Sequence, residues 1–231
     1  MRTFFVGLAV AWAVSVSGNS QTPTRVPVVI IEVGIFHGED IPELPQTQFT
    51  GLFRQGDSYV LAMATVSVAP AVDELVDKPG EMTGKEIKIA GPGEAIFAIS
   101  GNPMANMGSV RTASAGQALD LLRSAHTWEF LGQNYKLGTV NAGAEESGFK
   151  GAQLQFSSGS VNQVLFELPE GGDDPGWTLM WAGDLDGDGK LDLYMDVSDH
   201  YNVSEKRLFL SSLAKDGELV REVAVLRTVG C

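Results

Sequence analysis

Alternation of apolar and polar residues along the chain predicts a protein that is built mainly of β-strands. Leu154 and Phe156 alternate with glutamines, and Ile87 and Ile89 alternate with charged residues. In the segment 191–198, leucine, methionine and valine occupy every second position, and mostly polar residues lie between them. Because successive side chains of a strand point to opposite faces, each pattern predicts one buried face and one polar face.

Turn-forming residues divide these apolar runs into short segments. Clusters of glycine, asparagine, aspartate and proline lie between the runs, at residues 91–93, 101–103, 170–176 and 215–217. Many short strands with turns between them are typical of antiparallel sheets. We therefore expect a mainly β fold, arranged as a sandwich or as a partial propeller-like meander.

One segment has the spacing of a helix instead. Ser114 and Gln117 form a capping box, in which each side chain accepts or donates at the first turn of a helix. Apolar residues follow at helical spacing, at Ala118, Leu121, Leu122 and Ala125. This pattern predicts one short α-helix near residues 114–126, with His126 at its end.

The first twenty residues have the pattern of an export signal. Arg2 precedes an apolar run over residues 4–14, and small and polar residues follow over 15–20. The run is shorter than the roughly 20 apolar residues that a membrane-spanning helix needs, and its flanks match a secretory signal peptide. We expect residues 1–20 to be this signal, with no membrane span after its removal and a periplasmic or extracellular location. Three cleavage points remain open, after Ser17, Gly18 or Ser20.

The acidic composition excludes one class of partner. The chain has 29 acidic and 16 basic residues, for a net charge of −13. Such a chain lacks the positive surface that binds nucleic acid phosphates or anionic lipid. With 44% hydrophobic residues it is also too apolar to be disordered throughout.

A single cysteine, Cys231, rules out a disulfide within one copy of the chain. It leaves three options, namely a free thiol, a disulfide-linked dimer, or a small apolar residue that packs against the last strand. We favour the packed residue over the dimer.

One loop has the spacing of a calcium site. It reads Gly-Asp-Leu-Asp-Gly-Asp-Gly-Lys-Leu-Asp from Gly183 to Asp192, with carboxylates at Asp184, Asp186, Asp188 and Asp192. Calcium takes six to eight oxygen ligands, and alternate aspartates in a curled loop can point their oxygens at one centre. Gly189 permits a sharp turn with positive φ, and Lys190 offers its backbone carbonyl while its side chain points away. The alternative is a solvated acidic turn, which requires neither this glycine nor the fourth aspartate.

The residues that flank the loop distinguish between classes of calcium site. An EF-hand needs a glutamate at position twelve and helices on both sides, whereas Met195 occupies that position and both flanks read as strands. Residues 183–193 resemble the FG-GAP or VCBS-type calcium blade of integrin-like propellers and of many exported bacterial proteins. The resemblance implies that Ca²⁺ is held by the four aspartates and by the Lys190 carbonyl. It extends over about residues 177–227, where strands at 207–210 and 219–226 also fit a blade.

The blade motif occurs once, although such blades normally occur in several copies. Residues 25–170 contain no second Asp-x-Asp-x-Asp-Gly sequence. Either the other blades have lost their loops, or the meander belongs to a different β fold, which we favour. We therefore expect a β-rich domain over 21–170 and a calcium-loop meander over 171–231, packed into the same globule.

Three other groups of residues are candidates for chemistry. His37 with Glu39 and Asp40 is either a second metal or acid–base site or an exposed turn, and the segment 199–202 is either an ion site or a polar turn. Trp177 and Trp181, which are expected to share a strand face with Leu179, either stack on sugars or pack in the core. We favour the exposed turn, the polar turn and core packing.

These observations favour an exported calcium-binding protein that acts as a binding or adhesion module for a protein or glycan ligand. No serine-hydrolase elbow, zinc-protease helix or phosphate-binding loop occurs in the sequence, so we lean against an enzyme. Two alternatives remain. One is a secreted or periplasmic hydrolase whose active-site residues are dispersed in sequence, and the other is a structural envelope protein.

Overall fold

The computed structural model describes residues 28–45, 48–101 and 107–230, so the predicted signal peptide and Cys231 lie outside the described residues. The described part consists mainly of antiparallel strands, which confirms the predicted fold class. The strands are β1 (Ile30–Ile31), β2 (Gly34–Phe36), β3 (Phe49–Gln55), β4 (Ser58–Ala71), β5 (Gly84–Ala90), β6 (Glu94–Ser100), β7 (Gly108–Ser114), β8 (Leu119–Asp120), β9 (His126–Phe130), β10 (Gln133–Val140), β11 (Ala152–Ser158), β12 (Val161–Leu168), β13 (Gly176–Asp184), β14 (Asp192–Ser198), β15 (Val203–Leu210) and β16 (Arg221–Val229).

The larger sheet curls into a nearly closed, barrel-like form. Its strands follow the order β1-β6-β3-β4-β7-β13-β14-β15-β16, while β5 pairs with β4 and β2, and β8 pairs with β13. This order joins strands from both sides of residue 170 in one sheet. Since the path has nine strands and every neighbouring pair is antiparallel, β1 and β16 run in the same direction. Closure would need a parallel pair between β16 and a strand of only two residues, and parallel pairing is the less stable kind.

A smaller sheet packs on the outside of the larger one. It has the order β12-β11-β10-β9, and it covers the outer face of β13, β14 and β15. The described residues therefore form two cores. The first core lies inside the curled sheet and includes Phe97 and Tyr194. The second core lies between the two sheets and includes Phe156 and Leu193.

Strand β14 is buried on both faces, because it lies between these two cores. Leu193 and Met195 point into the second core, as the alternation predicts, and both are fully buried. The opposite face was predicted to be the polar face of the strand, but it is buried as well. Tyr194 on that face is fully buried in the first core, since the curled sheet covers it.

A β-bulge places the two tryptophans of β13 in different cores. The register between β13 and β14 shifts between Leu179 and Trp181, and such a shift reverses the side chains beyond it. Trp177 packs in the second core and Trp181 in the first. Core packing of both tryptophans is confirmed, whereas the prediction that they share a face is wrong.

The helix predicted near residues 114–126 does not form. Ser114 ends β7, Leu119 and Asp120 form β8 against β13, and His126 begins β9. Asp120 Oδ1 accepts the backbone N–H groups of Leu122 (2.9 Å) and Arg123 (3.1 Å), which makes a turn between the strands. Strand pairing and this turn provide hydrogen-bond partners for the backbone groups that would otherwise be paired within a helix. Tertiary context therefore overrides the local pattern.

The only helical element in the described ranges is a single 3-10 turn, Glu145–Ser147. Accordingly, no helix among the described residues has the length and apolarity that crossing a membrane requires.

Replacing a side chain of β14 tests the role of this strand. We expect Leu193→Ala to lower the free energy of unfolding by about 2–5 kcal/mol, because it opens a cavity in the second core. The matched control is Val164→Ala in β12, where the valine is 41% exposed and the change should stay within about 0.5 kcal/mol. Urea unfolding of both variants measures the difference. Equal effects would contradict the two-core description.

Candidate metal centre

The aspartate-rich loop connects β13 to β14, as its predicted strand flanks require. Asp184 ends β13, Asp192 begins β14, and the pairing of Gly183 with Asp192 closes the base of the loop. Gly187 and Gly189 both have φ of 83°, which confirms the predicted positive φ at Gly189. The loop therefore curls back on itself at two left-handed positions, which favour glycine.

Three of the predicted ligands converge on one point. One carboxylate oxygen from each of Asp184, Asp186 and Asp188 lies within 4.8 Å of the other two. Oxygens bound to calcium lie about 2.3–2.6 Å from the ion, so two ligands on opposite sides of it are about 5 Å apart. The spacing of the three oxygens thus fits a single cation. Asp184 would contact the ion from the buried side, and Asp188 from the exposed side.

The buried carboxylate of Asp184 is only half satisfied by the protein. Its Oδ2 accepts a hydrogen bond from Arg111 Nη2 at 2.6 Å, while its Oδ1 is buried and has no hydrogen-bond partner. The side chain is only 1% exposed. A buried charged oxygen without a partner carries a desolvation cost, and a cation in the aspartate cluster would remove this cost.

Asp192 does not belong to this cluster of three. Its side chain lies beneath the loop and is fully buried. Asp192 Oδ2 accepts the N–H of Leu185 (2.7 Å), and Oδ1 accepts both the N–H and the hydroxyl of Ser211 (2.7 Å each). Its carboxylate therefore orients the loop backbone. The exposed residue Lys190 donates its backbone N–H to Asp188 Oδ1 at 2.8 Å.

Residues outside the loop complete the site, and sequence reasoning missed them. The hydroxyl of Ser211 reaches Asp188 Oδ1 at 3.0 Å, and the hydroxyl of Ser212 donates to Asp186 Oδ2. Both serines directly follow β15, the neighbour of β14, so a meander alignment would have placed them near the loop. Arg111 on β7 lies 73 positions before Asp184, and no local pattern indicates their contact.

Two carboxyl groups of the loop, those of Asp186 and Asp192, have a raised pKa. Burial, together with the negative charge of Asp186, raises the pKa of Asp192 to about 7. Burial also raises the pKa of Asp186, and the charges of Asp188 and Asp184 act in the same direction. A divalent cation would reverse this preference, since it favours the ionised carboxylates. Because every candidate donor is a hard oxygen, calcium or magnesium fits the site better than a softer metal.

Comparisons with family models, curated proteins and solved structures give no match to this chain. The resemblance to a calcium blade therefore rests on the loop residues and on the meander β13–β16. This meander is continuous with the other strands of the larger sheet.

His37 has a different partner from those that the sequence indicated. Its Nδ1 contacts Oδ2 of the buried Asp73, which follows β4. Asp40 instead accepts the backbone N–H of Val229 at 2.8 Å. Asp73 was missed because 36 positions separate it from His37. The second candidate segment, 199–202, forms the predicted polar turn between β14 and β15, where His200 pairs with Asp199 at 3.0 Å.

The pair of His37 and Asp73 makes stability depend on pH. The hydrogen bond to Asp73 raises the pKa of His37 above its usual 6.5. A raised pKa means that the folded protein binds the proton more tightly, so the stabilisation is complete below about pH 6.5 and is lost as the pH rises through the folded pKa. We expect the stability difference between wild type and His37→Gln to be larger at pH 5.5 than at pH 9, as measured by urea unfolding. The control is His126→Gln in the smaller sheet, where the half-buried histidine contacts the backbone carbonyl oxygen of Asp120 at 3.1 Å. A pH-independent difference for His37→Gln would contradict the pairing.

Proposed function

We propose that this chain is an exported calcium-binding β protein, in which the ion stabilises the turn between β13 and β14. The observation that carries the proposal is the buried, unpartnered Oδ1 of Asp184 beside the oxygens of Asp186 and Asp188. The residue pattern of positions 1–20 supports export. In this proposal Asp192 and Lys190 shape the loop, and solvent or further loop oxygens complete the coordination of the ion.

The ion contributes modestly to stability. For a dissociation constant in the extracellular range of about 10⁻⁴–10⁻³ M, calcium at about 1 mM adds roughly 0.4–1.4 kcal/mol. The turn that it stabilises lies at the base of the doubly buried strand β14, so loosening of this turn would expose both cores to unfolding. An increment of this size matters against the marginal stability of folded proteins.

Calcium titration of the protein tests the metal site. We expect the melting temperature of wild type to rise by about 1–6 °C between excess chelator and about 1 mM Ca²⁺. Asp184→Asn should lose this rise, because the amide removes the buried negative charge. The control Asp216→Asn changes an exposed aspartate in another Asp-Gly turn and should keep the rise. A wild-type melting temperature that is the same in chelator and in Ca²⁺ would contradict the proposal.

We further propose that the protein is a binding or adhesion module. An open groove of about 640 Å³ lies between β2 and the neighbouring ends of β15 and β16. Exposed apolar and aromatic side chains line it, among them Ile35, Val72, Leu75 and Tyr201. An exposed patch of this kind supports a binding surface for a protein or glycan ligand.

A glycan array and a panel of extracellular matrix proteins test this part of the proposal. We expect a ligand whose affinity falls at least tenfold in Tyr201→Ala, because Tyr201 lines the groove and is 67% exposed. Val164→Ala, on the other sheet, should bind as wild type does. Ligands that bind both variants equally would place the binding surface elsewhere.

The hydrolase alternative is favoured by the pair of His37 and Asp73 at the edge of this groove. A carboxylate that holds Nδ1 of a histidine leaves Nε2 as a base. The hydroxyl of Ser204 lines the same groove, but it donates to Asp196 Oδ2 at 2.8 Å. Hydrolysis of ester or glycoside substrates that disappears in His37→Gln would support this alternative, and hydrolysis that persists in the variant would contradict it.

A further inference from the structure

Lys206 and Asp196 form an ion pair on the inner face of the curled sheet. They are direct partners in the ladder between β15 and β14, and Lys206 Nζ lies 2.7 Å from Asp196 Oδ2. Their side chains are only 15% and 18% exposed. Asp196 lies two residues after Tyr194 and therefore on the same face of β14, which is the face toward the first core.

A third group, Glu32, lies beside this pair. The Tyr194 hydroxyl donates to Glu32 Oε1 at 2.5 Å, and residues two apart on one strand face are about 7 Å apart. Burial raises the pKa of Glu32, while the charge of Lys206 lowers it and the charge of Asp196 raises it. Glu32 thus lies within range of the charges of both Lys206 and Asp196, and its burial favours the protonated form of the carboxyl group.

The two carboxylate oxygens of Asp196 have different hydrogen-bond partners. Oδ1 accepts the backbone N–H of Glu205 at 2.9 Å, whereas Oδ2 accepts from Lys206 and from the Ser204 hydroxyl. A backbone N–H on Oδ1 stabilises negative charge that develops there when the carboxyl carbon is attacked. Oδ2 is then the oxygen that leaves.

We propose that Lys206 and Asp196 are the site of an intramolecular amide bond, which forms with loss of water and is promoted by Glu32. The ammonium of Lys206 first gives a proton to Asp196, which leaves an amine and a carboxylic acid. The amine nitrogen attacks Cγ and forms the new C–N bond. The bond from Cγ to Oδ2 then breaks, Glu32 donates its proton to the departing hydroxyl, and its carboxylate takes the remaining proton from the nitrogen. The products are one neutral amide and one water molecule, and no oxidant or cofactor takes part.

The fold supplies the driving force for this condensation. Amide formation between free groups in water is slow and unfavourable, and holding the groups in contact removes much of the barrier, as effective concentrations of about 10⁵–10⁸ M for oriented groups indicate. Partial burial also favours the neutral amide over the ion pair, because it disfavours separated charges. This inference concerns a different part of β14 from the calcium loop and stands independently of the proposed metal.

Mass spectrometry of the purified full chain under denaturing conditions tests the bond. The expected result is an intact mass that is lower than the mass of the same processed sequence by one water molecule. The peptide map should contain one branched peptide that joins the segment with Asp196 to the segment with Lys206. An intact mass without water loss, or linear peptides alone, would overturn the proposal, and neither readout depends on a variant that folds.

Variants separate this bond from other losses of water. Lys206→Arg keeps the positive charge but has no amine for the reaction, so its intact mass should show no loss of water. Glu32→Gln should also show no loss of water, because a glutamine side chain cannot donate and accept the protons that the reaction transfers. Lys88→Arg, which changes an exposed lysine paired with Glu86, should lose water as wild type does.

Aspartates before glycine, as at Asp186, Asp188 and Asp216, can also lose water by forming a cyclic imide with their own backbone. Such an imide opens in mild alkali and would persist in Lys206→Arg, whereas the proposed amide withstands alkali and is absent from that variant. A loss of water that persists in Lys206→Arg would therefore count against the proposal.

Discussion

The fold depends on the burial of β14 and its partner β13 between two cores. On one side the curled sheet surrounds Phe97 and Tyr194, and on the other the smaller sheet covers Leu193 and Met195. A strand pair that is covered on both faces is held more rigidly than a pair with one face in water, because a register shift would move apolar side chains out of both cores. The turn between these strands is therefore presented on a rigid base.

The rigidity of these two strands explains how the acidic residues of the turn are held in a tight loop. The carboxylate of Asp192 at the foot of the loop is fully buried and accepts hydrogen bonds from the loop backbone and from Ser211. Arg111 on β7, the strand next to β13, donates a hydrogen bond to Asp184, and Ser212 after β15 donates one to Asp186. Strands on both sides of the loop thus converge on it. They bring like charges together, which costs electrostatic free energy. Because Oδ1 of Asp184 has no hydrogen-bond partner, the protein does not offset this cost at that atom.

The sequence predicted the strands and the loop better than it predicted how their faces are used. The pattern of β14 indicated one apolar and one polar face, because the alternation at Tyr194 and Asp196 does not reveal a second layer of protein. The capping box at Ser114 indicated a helix, but β8 pairs with β13 there and Asp120 makes a turn. The bulge between Leu179 and Trp181 has no sequence signature and decides which core each tryptophan occupies.

By itself the sequence determined the mainly β composition, the position of the aspartate loop between two strands, and the left-handed turn at Gly189. These features depend on residues that are close along the chain, where spacing and backbone preference act directly. Only the tertiary structure decided that Asp73 is the partner of His37, that Arg111 contacts Asp184, and that Glu32 lies beside Lys206 and Asp196. Each of these contacts joins distant segments, and their approach is set by the closure of the sheet, to which the whole chain contributes.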